Sequence, residues 1–218
     1  MPRRALKDAG GIVFHVLNRS ARRTTLFNEP QDYIAFERAL KVALHKFPIR
    51  LLAYCVMPNH WHLVVWPIRS EMPLFMHWLT LTHARYWHEV TGTQGEGHVY
   101  QDRYRAIPVQ HDHHLRTLIR YVERNPLRAN LVRRAEDWPW SSAFGDGDSC
   151  NLVPIAPWPI PRPDNWIDVL NEGQPGTEEG AVQDAIRQGR PLGEAGWTTA
   201  VALKVRIAAR RPGRPSRT

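Results

Sequence analysis

The chain predicts an α+β fold, an antiparallel sheet layered with helices, on three observations. Strand-like apolar runs alternate with stretches of helical periodicity between Gly11 and Arg124. Their order is strand, helix, strand, strand, helix, strand, helix, with a hairpin at the centre. A chain of 218 residues with 43% hydrophobic content is long and apolar enough for one well-buried domain plus an appendage, without covalent staples. This order suggests a split βαβ, ferredoxin-like sandwich with the helices on one side of the sheet.

Gly11 to Arg19 reads as the first strand. Asn28 to His45 reads as a helix with Asn28 as its cap, Pro30 early, and Tyr33, Phe36, Leu40, Leu44 and Phe47 along one face. Ile49 to Met57 and His60 to Trp66 are two strands joined by a Pro58-Asn59 turn. A second helix spans about Pro73 to His88 and is broken by the glycine-rich run from Gly92 to Gly97. Tyr100 to Val109 gives a fourth strand, and about Asp112 to Arg124 a third helix with Leu115, Leu118, Ile119 and Val122 as its buried stripe. Past Phe144 the composition shifts to Gly145-Asp146-Gly147-Asp148 and then to prolines between Pro154 and Pro163. Residues 1–144 are therefore expected to form the functional domain, and 145–218 a linker or irregular wrap. The latter holds helix-compatible pieces near Thr177–Gln188 and Thr198–Arg210 and a basic tail, Arg210 to Arg217.

The formal charge is +8, and arginine supplies nearly all of the positive groups, since only Lys7, Lys41, Lys46 and Lys204 are lysines. Guanidinium groups bind phosphates bidentately and stack on bases, so nucleic acid is the natural partner. Cys55 and Cys150 are far apart and match no disulfide framework or zinc spacing. The start of the chain lacks the apolar core of a leader, and no apolar run nears the roughly 20 residues that span a bilayer. A cytoplasmic protein without membrane attachment is expected.

The most specific chemistry lies in His60-Trp61-His62 at the head of the third strand. Residues two apart on a strand share a face, so both imidazoles aim together. Tyr121 and Asn125, four apart on the third helix, also share a face. Pro126 disfavours continued helix at Asn125, whose amide is expected at a helix end, reaching outward to a ligand. His60, His62 and Asn125 make three neutral donors, which bind Mg2+ or Mn2+ weakly until a phosphate adds its charge. Ionising a phenol at pH 7 costs roughly 4 kcal/mol, which a nearby metal and arginines reduce. Tyr121 is then a workable nucleophile. Its attack on a phosphodiester conserves the ester as phosphotyrosine, whereas hydrolysis would discard it.

Met57-Pro58-Asn59-His60-Trp61-His62-Leu63-Val64 and the run from Arg120 to Val132 resemble the two signatures of single-tyrosine HUH transposases, and most closely their REP-associated branch. Gly97 to Arg105 and Trp138-Pro139-Trp140-Ser141-Ser142 are similar to the same branch, so the likeness runs roughly from Gly11 to Phe144. The resemblance implies a ferredoxin-like nuclease fold, His60 and His62 as metal ligands, and Tyr121 as nucleophile. It implies cleavage of single-stranded DNA near hairpins through a 5′-phosphotyrosine, with no nucleotide cofactor. It also suggests Asn125 as third ligand, in a place where related transposases often carry glutamine. It leaves monomer or homodimer open, because related enzymes use both.

Each of these residues has a plainer reading beside it. A lone His-X-His is usually two polar residues on an exposed strand face, a tyrosine beside Leu118 a packing residue, and an asparagine before proline a helix cap. Only their coincidence points to a site. His111, His113 and His114 look like a metal tract, but at a helix start without partners they read as a solvated cluster. Arg103 and Arg105, interleaved with Tyr100 and Tyr104, are candidates for following a DNA backbone, and Arg120, Arg124 and Arg128 for binding the scissile region. The alternatives are a protein that binds structured DNA or RNA without cutting it, and a metal nuclease that uses water.

Overall fold

A computed structural model describes residues 10–21, 24–144 and 152–207. The Gly145–Asp148 run, Cys150 and the basic tail from Arg210 to Arg217 lie outside the described residues. The central element is a four-stranded antiparallel sheet of β1 (Val13–Arg19), β2 (Ile49–Met57), β3 (His60–Pro67) and β4 (Arg105–Val109), in the order β2-β3-β1-β4. Helix α1 (Pro30–Lys46) connects β1 to β2, and α2 (Met72–Thr91) connects β3 to β4. This is the split βαβ arrangement the element order predicts.

Both crossover helices pack on one face of the sheet, where Phe14, Val16, Tyr54, Val56, Trp61, Leu63 and Val65 meet Phe36, Leu40, Phe75 and Leu79. The other face is not bare. Helix α3 (His113–Glu123) lies across it, joining Leu115, Leu118, Ile119 and Val122 to Val13, Leu52, Ala53, Cys55 and Val64. The expected one-sided arrangement therefore holds for the crossover helices and fails for α3. The physical reason is that β2 is apolar on both faces, buried from Leu51 to Met57 without a break, and so needs cover on each.

Helix α1 begins one residue later than expected, with Glu29 rather than Asn28 at its cap position; the Asp32 carboxylate accepts from the backbone N–H groups of Asn28 and Glu29 at 2.9 and 3.1 Å. Helix α2 runs on to Thr91 and stops where Gly92 takes a left-handed φ of 66°. Strand β4 starts at Arg105, not at Tyr100. Tyr100 bridges Ser20 and Arg105 pairs with Leu17, so Gln101 to Tyr104 stand opposite Asn18 and Arg19 alone, and the surplus loops out.

The chain from Trp138 onward covers both sheet edges and the outside of α3. Along β2, Val56 N–H donates to Trp140 O at 2.8 Å and Ala156 N–H to Leu51 O at 2.7 Å; along β4, Gln110 N–H donates to Leu192 O at 2.9 Å. Unpaired edges invite pairing with other chains, and here neither is left open. Two of the later helices, α6 (Gly176–Gln188) and α7 (Ala195–Ile207), begin close to their predicted places, following a four-residue α4 (Asn125–Arg128) and a six-residue α5 (Trp166–Asn171) that periodicity does not reveal. Trp166 is 1% exposed, and its indole N–H donates to Glu123 Oε2 at 2.7 Å, while Ser142 Oγ donates to Glu123 Oε1 at 2.5 Å. Trp166→Ala should lower stability by about 3–5 kcal/mol in urea denaturation, since it opens a large cavity and leaves a buried carboxylate oxygen short of a donor.

Candidate active site

The site lies on the α3 face of the sheet. In β3 the alternation sends Trp61 into the opposite core, fully buried, and leaves His60 and His62 facing α3 with ring centroids 5.0 Å apart. Each ring is held through Nδ1. His60 Nδ1 lies 2.7 Å from Asn59 Oδ1 in the hairpin turn, and His62 Nδ1 lies 2.8 Å from Nε2 of His15 on β1. Antiparallel pairing of β1 with β3, which sets Leu17 opposite His62, brings this third histidine in.

Tyr121 of α3 closes over His62 and His15. Its ring stands edge-on to His62 at 6.2 Å and to His15 at 6.5 Å, and the residue is 7% exposed. The Arg128 guanidinium sits 3.9 Å over the Tyr121 ring; its Nη2 donates to Asn125 Oδ1 at 2.6 Å and its Nε pairs with Glu179 Oε1 of α6 at 3.2 Å. Its Nη1 is buried with no partner.

Burial decides the protonation states. Desolvation brings His15 down to about 3, and brings His60 down to about 4 with help from Arg128 and Arg19. His62 lies well below the usual histidine range for the same reason, with His60, His15 and Arg128 adding to it. All three are neutral at physiological pH, the state in which imidazole binds metal. Burial raises the Tyr121 phenol, and the charge and hydrogen bond of Arg128 pull it back.

Asn125 is buried and does not reach outward. Its Nδ2 donates to the carbonyls of Tyr121 and Val122 at 3.2 and 3.1 Å, capping α3, while Oδ1 receives Arg128. Pro126 opens the short α4 instead of ending structure, because proline suits a first helical turn. The donor set is thus two neutral imidazoles, each with Nδ1 occupied and Nε2 left over, and one amide oxygen with a lone pair beyond its bond to Arg128. Such a set fits a divalent cation whose remaining positions are completed by phosphate oxygens.

The arginine candidates fare unequally. Arg124 donates to the carbonyls of Leu170 and Glu172, Arg120 to those of Glu172 and Gly173, and Arg105 to that of Ile186 at 2.9 Å. The C-terminal segment therefore engages them, as it engages Arg128. Arg103 is exposed. Tyr100, a candidate for stacking bases, is instead a core residue, its hydroxyl 3.1 Å from Trp61 Nε1 and 2.7 Å from His83 Nδ1. Asp112, His113 and His114 bring ligand atoms within 4.8 Å of one another, but Asp112 Oδ1 is spent on the α3 cap, accepting from His114 N–H at 2.8 Å. Sequence reasoning missed His15. Its one signal is a polar residue amid the apolar run Val13-Phe14-His15-Val16-Leu17, and its partner lies 47 positions away.

Residues 9–125 match the family described as Transposase IS200 like. The REP-associated tyrosine transposase of Escherichia coli strain K12 is 23% identical over 141 residues, covering 63% of this chain and 79% of that protein. A Haemophilus influenzae protein assigned provisionally to the same group is 24% identical over 147 residues, covering 63% and 82%. Among solved structures, a REP-associated tyrosine transposase bound to a REP hairpin superposes with a TM-score of 0.52 at 20% identity, covering 65% of this chain and 81% of its own, a likeness of fold.

Proposed function

From its membership of the IS200-like transposase family, whose members are DNA-cleaving enzymes, we propose that this chain is a metal-dependent single-stranded DNA endonuclease and strand transferase with Tyr121 as nucleophile. The observation that carries the reading is the convergence of β3 and α3: Tyr121 stands edge-on to the neutral His62 at 6.2 Å, whose ring lies 5.0 Å from that of His60, with a guanidinium against its own. Hairpin DNA is the proposed substrate, by analogy with the relative solved on a REP hairpin. No helix among the described residues is long and apolar enough to cross a membrane, and the proposed place of action is the cytoplasm.

In this reading His60, His62 and Asn125 Oδ1 would hold Mg2+ or Mn2+, which would supply positive charge to the scissile phosphate. Tyr121 Oη attacks phosphorus and the P–O3′ bond breaks. The products are a 5′-phosphotyrosine and a free 3′ oxygen, which takes up a proton in place of the one the phenol lost. Arg128 steadies the phenolate through stacking and its hydrogen bond, and its unpartnered Nη1 is placed to donate to a phosphate oxygen. Burial of Tyr121 keeps competing water from the ester, so that a second strand end can attack it and restore a phosphodiester.

The test is incubation of the full chain with labelled single-stranded hairpin DNA and Mn2+ or Mg2+, followed by denaturing electrophoresis. A protein–DNA adduct that survives denaturant supports the proposal. Cleavage without an adduct makes water the nucleophile, and binding without cleavage makes the chain a DNA-binding protein.

A further inference from the structure

His15 takes no part in the cleavage reading, yet it is buried beside the site, 1% exposed against 3% for His62. Its Nε2 is 2.8 Å from His62 Nδ1, and the two rings meet edge to edge with centroids 5.0 Å apart and planes 20° from parallel. One hydrogen joins two ring nitrogens, so this bond has two states. When His62 donates from Nδ1, its Nε2 carries a lone pair. When His15 donates, the neutral His62 carries its hydrogen on Nε2 and cannot ligate.

His60 shows which state suits the site. Its Nδ1 faces Asn59 Oδ1, an oxygen that only accepts, so the hydrogen sits on Nδ1 and the lone pair on Nε2. We propose that His15 is a positioning residue that accepts the Nδ1 hydrogen of His62. Together with Asn59 it thereby fixes both β3 histidines in the tautomer whose Nε2 lone pairs are open to one divalent cation. The inference rests on the reading of His60 and His62 as metal ligands. Ligating histidines generally depend on such partners, whose loss weakens binding by about 10- to 100-fold.

Two measurements test this on the full chain. In long-range 1H–15N correlation spectra of metal-free wild-type protein, His62 should show a protonated Nδ1 and a bare Nε2; a hydrogen on Nε2 would overturn the proposal. Mn2+ titration, followed by the electron paramagnetic resonance of the free ion, should show affinity falling about 10- to 100-fold in His15→Leu. His15→Gln, which keeps an acceptor, should regain part of that loss. Undiminished Mn2+ affinity in a His15→Leu protein that melts like wild type overturns the inference alone. A wild-type protein that takes up no Mn2+ overturns the ligand assignment beneath it. If His15→Leu does not fold, the wild-type spectrum still decides.

Discussion

Tyr121→Phe should abolish the denaturant-resistant adduct and lower strand cleavage by at least about 1,000-fold, because it removes the oxygen proposed to take the phosphoryl group. The substitution is mild in every other respect. Phenylalanine keeps the ring under the Arg128 guanidinium and the edge contacts with His62 and His15, losing only the hydroxyl and its bond to Arg128. Thermal stability and hairpin affinity should therefore stay close to wild type, and a filter-binding assay beside the cleavage assay would check this. His62→Ala should remove cleavage to a similar degree for a different reason, leaving the tyrosine intact but the phosphate without its metal. The pair separates the roles: added Mn2+ at high concentration should partly rescue a ligand variant and never the phenylalanine. A Tyr121→Phe protein that still forms the adduct would show that another residue is the nucleophile.

The sequence makes the sheet and the catalytic pairings legible to different depths. Strand alternation through His60-Trp61-His62 is local and survives in the structure as a shared face, whereas Asn125, four residues past Tyr121, lies beyond the end of α3 in the short α4. The side chains' partners are not local. His15 reaches His62 only because β1 lies between β3 and β4, and no periodicity in one strand states which strand will be its neighbour. Asn125 turned inward because the carbonyls at the end of α3 needed donors and its amide was nearest, a competition that the Asn-Pro dipeptide alone does not decide. The arginines that read as a solvated or DNA-facing row were claimed by carbonyls of residues 170–173 and by Glu179, more than forty positions downstream. That segment was hard to read since its fixed points are single tryptophans: Trp158 and Trp166 anchor through their N–H groups, to Leu52 O at 3.0 Å and to Glu123, rather than through a helical stripe.

Mild acid should unfold the protein, and the buried histidines say in which range. His15, His60 and His83 ionise in the folded state only near 3, 4 and 4, and His62 lies well below the 6.5 of an ordinary histidine. The unfolded chain therefore binds more protons than the native one from pH 6.5 down to those folded values. Their contribution to stability is complete above pH 6.5 and is lost as pH falls below it. Between pH 7 and 5 each independent histidine withdraws about 2 kcal/mol. Glu37 works the other way. Burial raises its carboxyl to about 7, so the native state gains protons there sooner than the unfolded chain and recovers about 2 kcal/mol over the same range. Counting His15 and His62 as one because they share a bond, the net loss is about 4 kcal/mol, a large part of an ordinary domain's stability. Urea midpoints measured from pH 7.5 to 5 should fall steeply below pH 6.5. His83 provides the control, being distant from the metal-binding face, bonded to Tyr100 and left with an unpartnered Nε2 among Phe27 and Phe36. His83→Leu should flatten the curve by about a third to a half without touching cleavage, and an unchanged slope in that variant would mean that the acid response arises elsewhere.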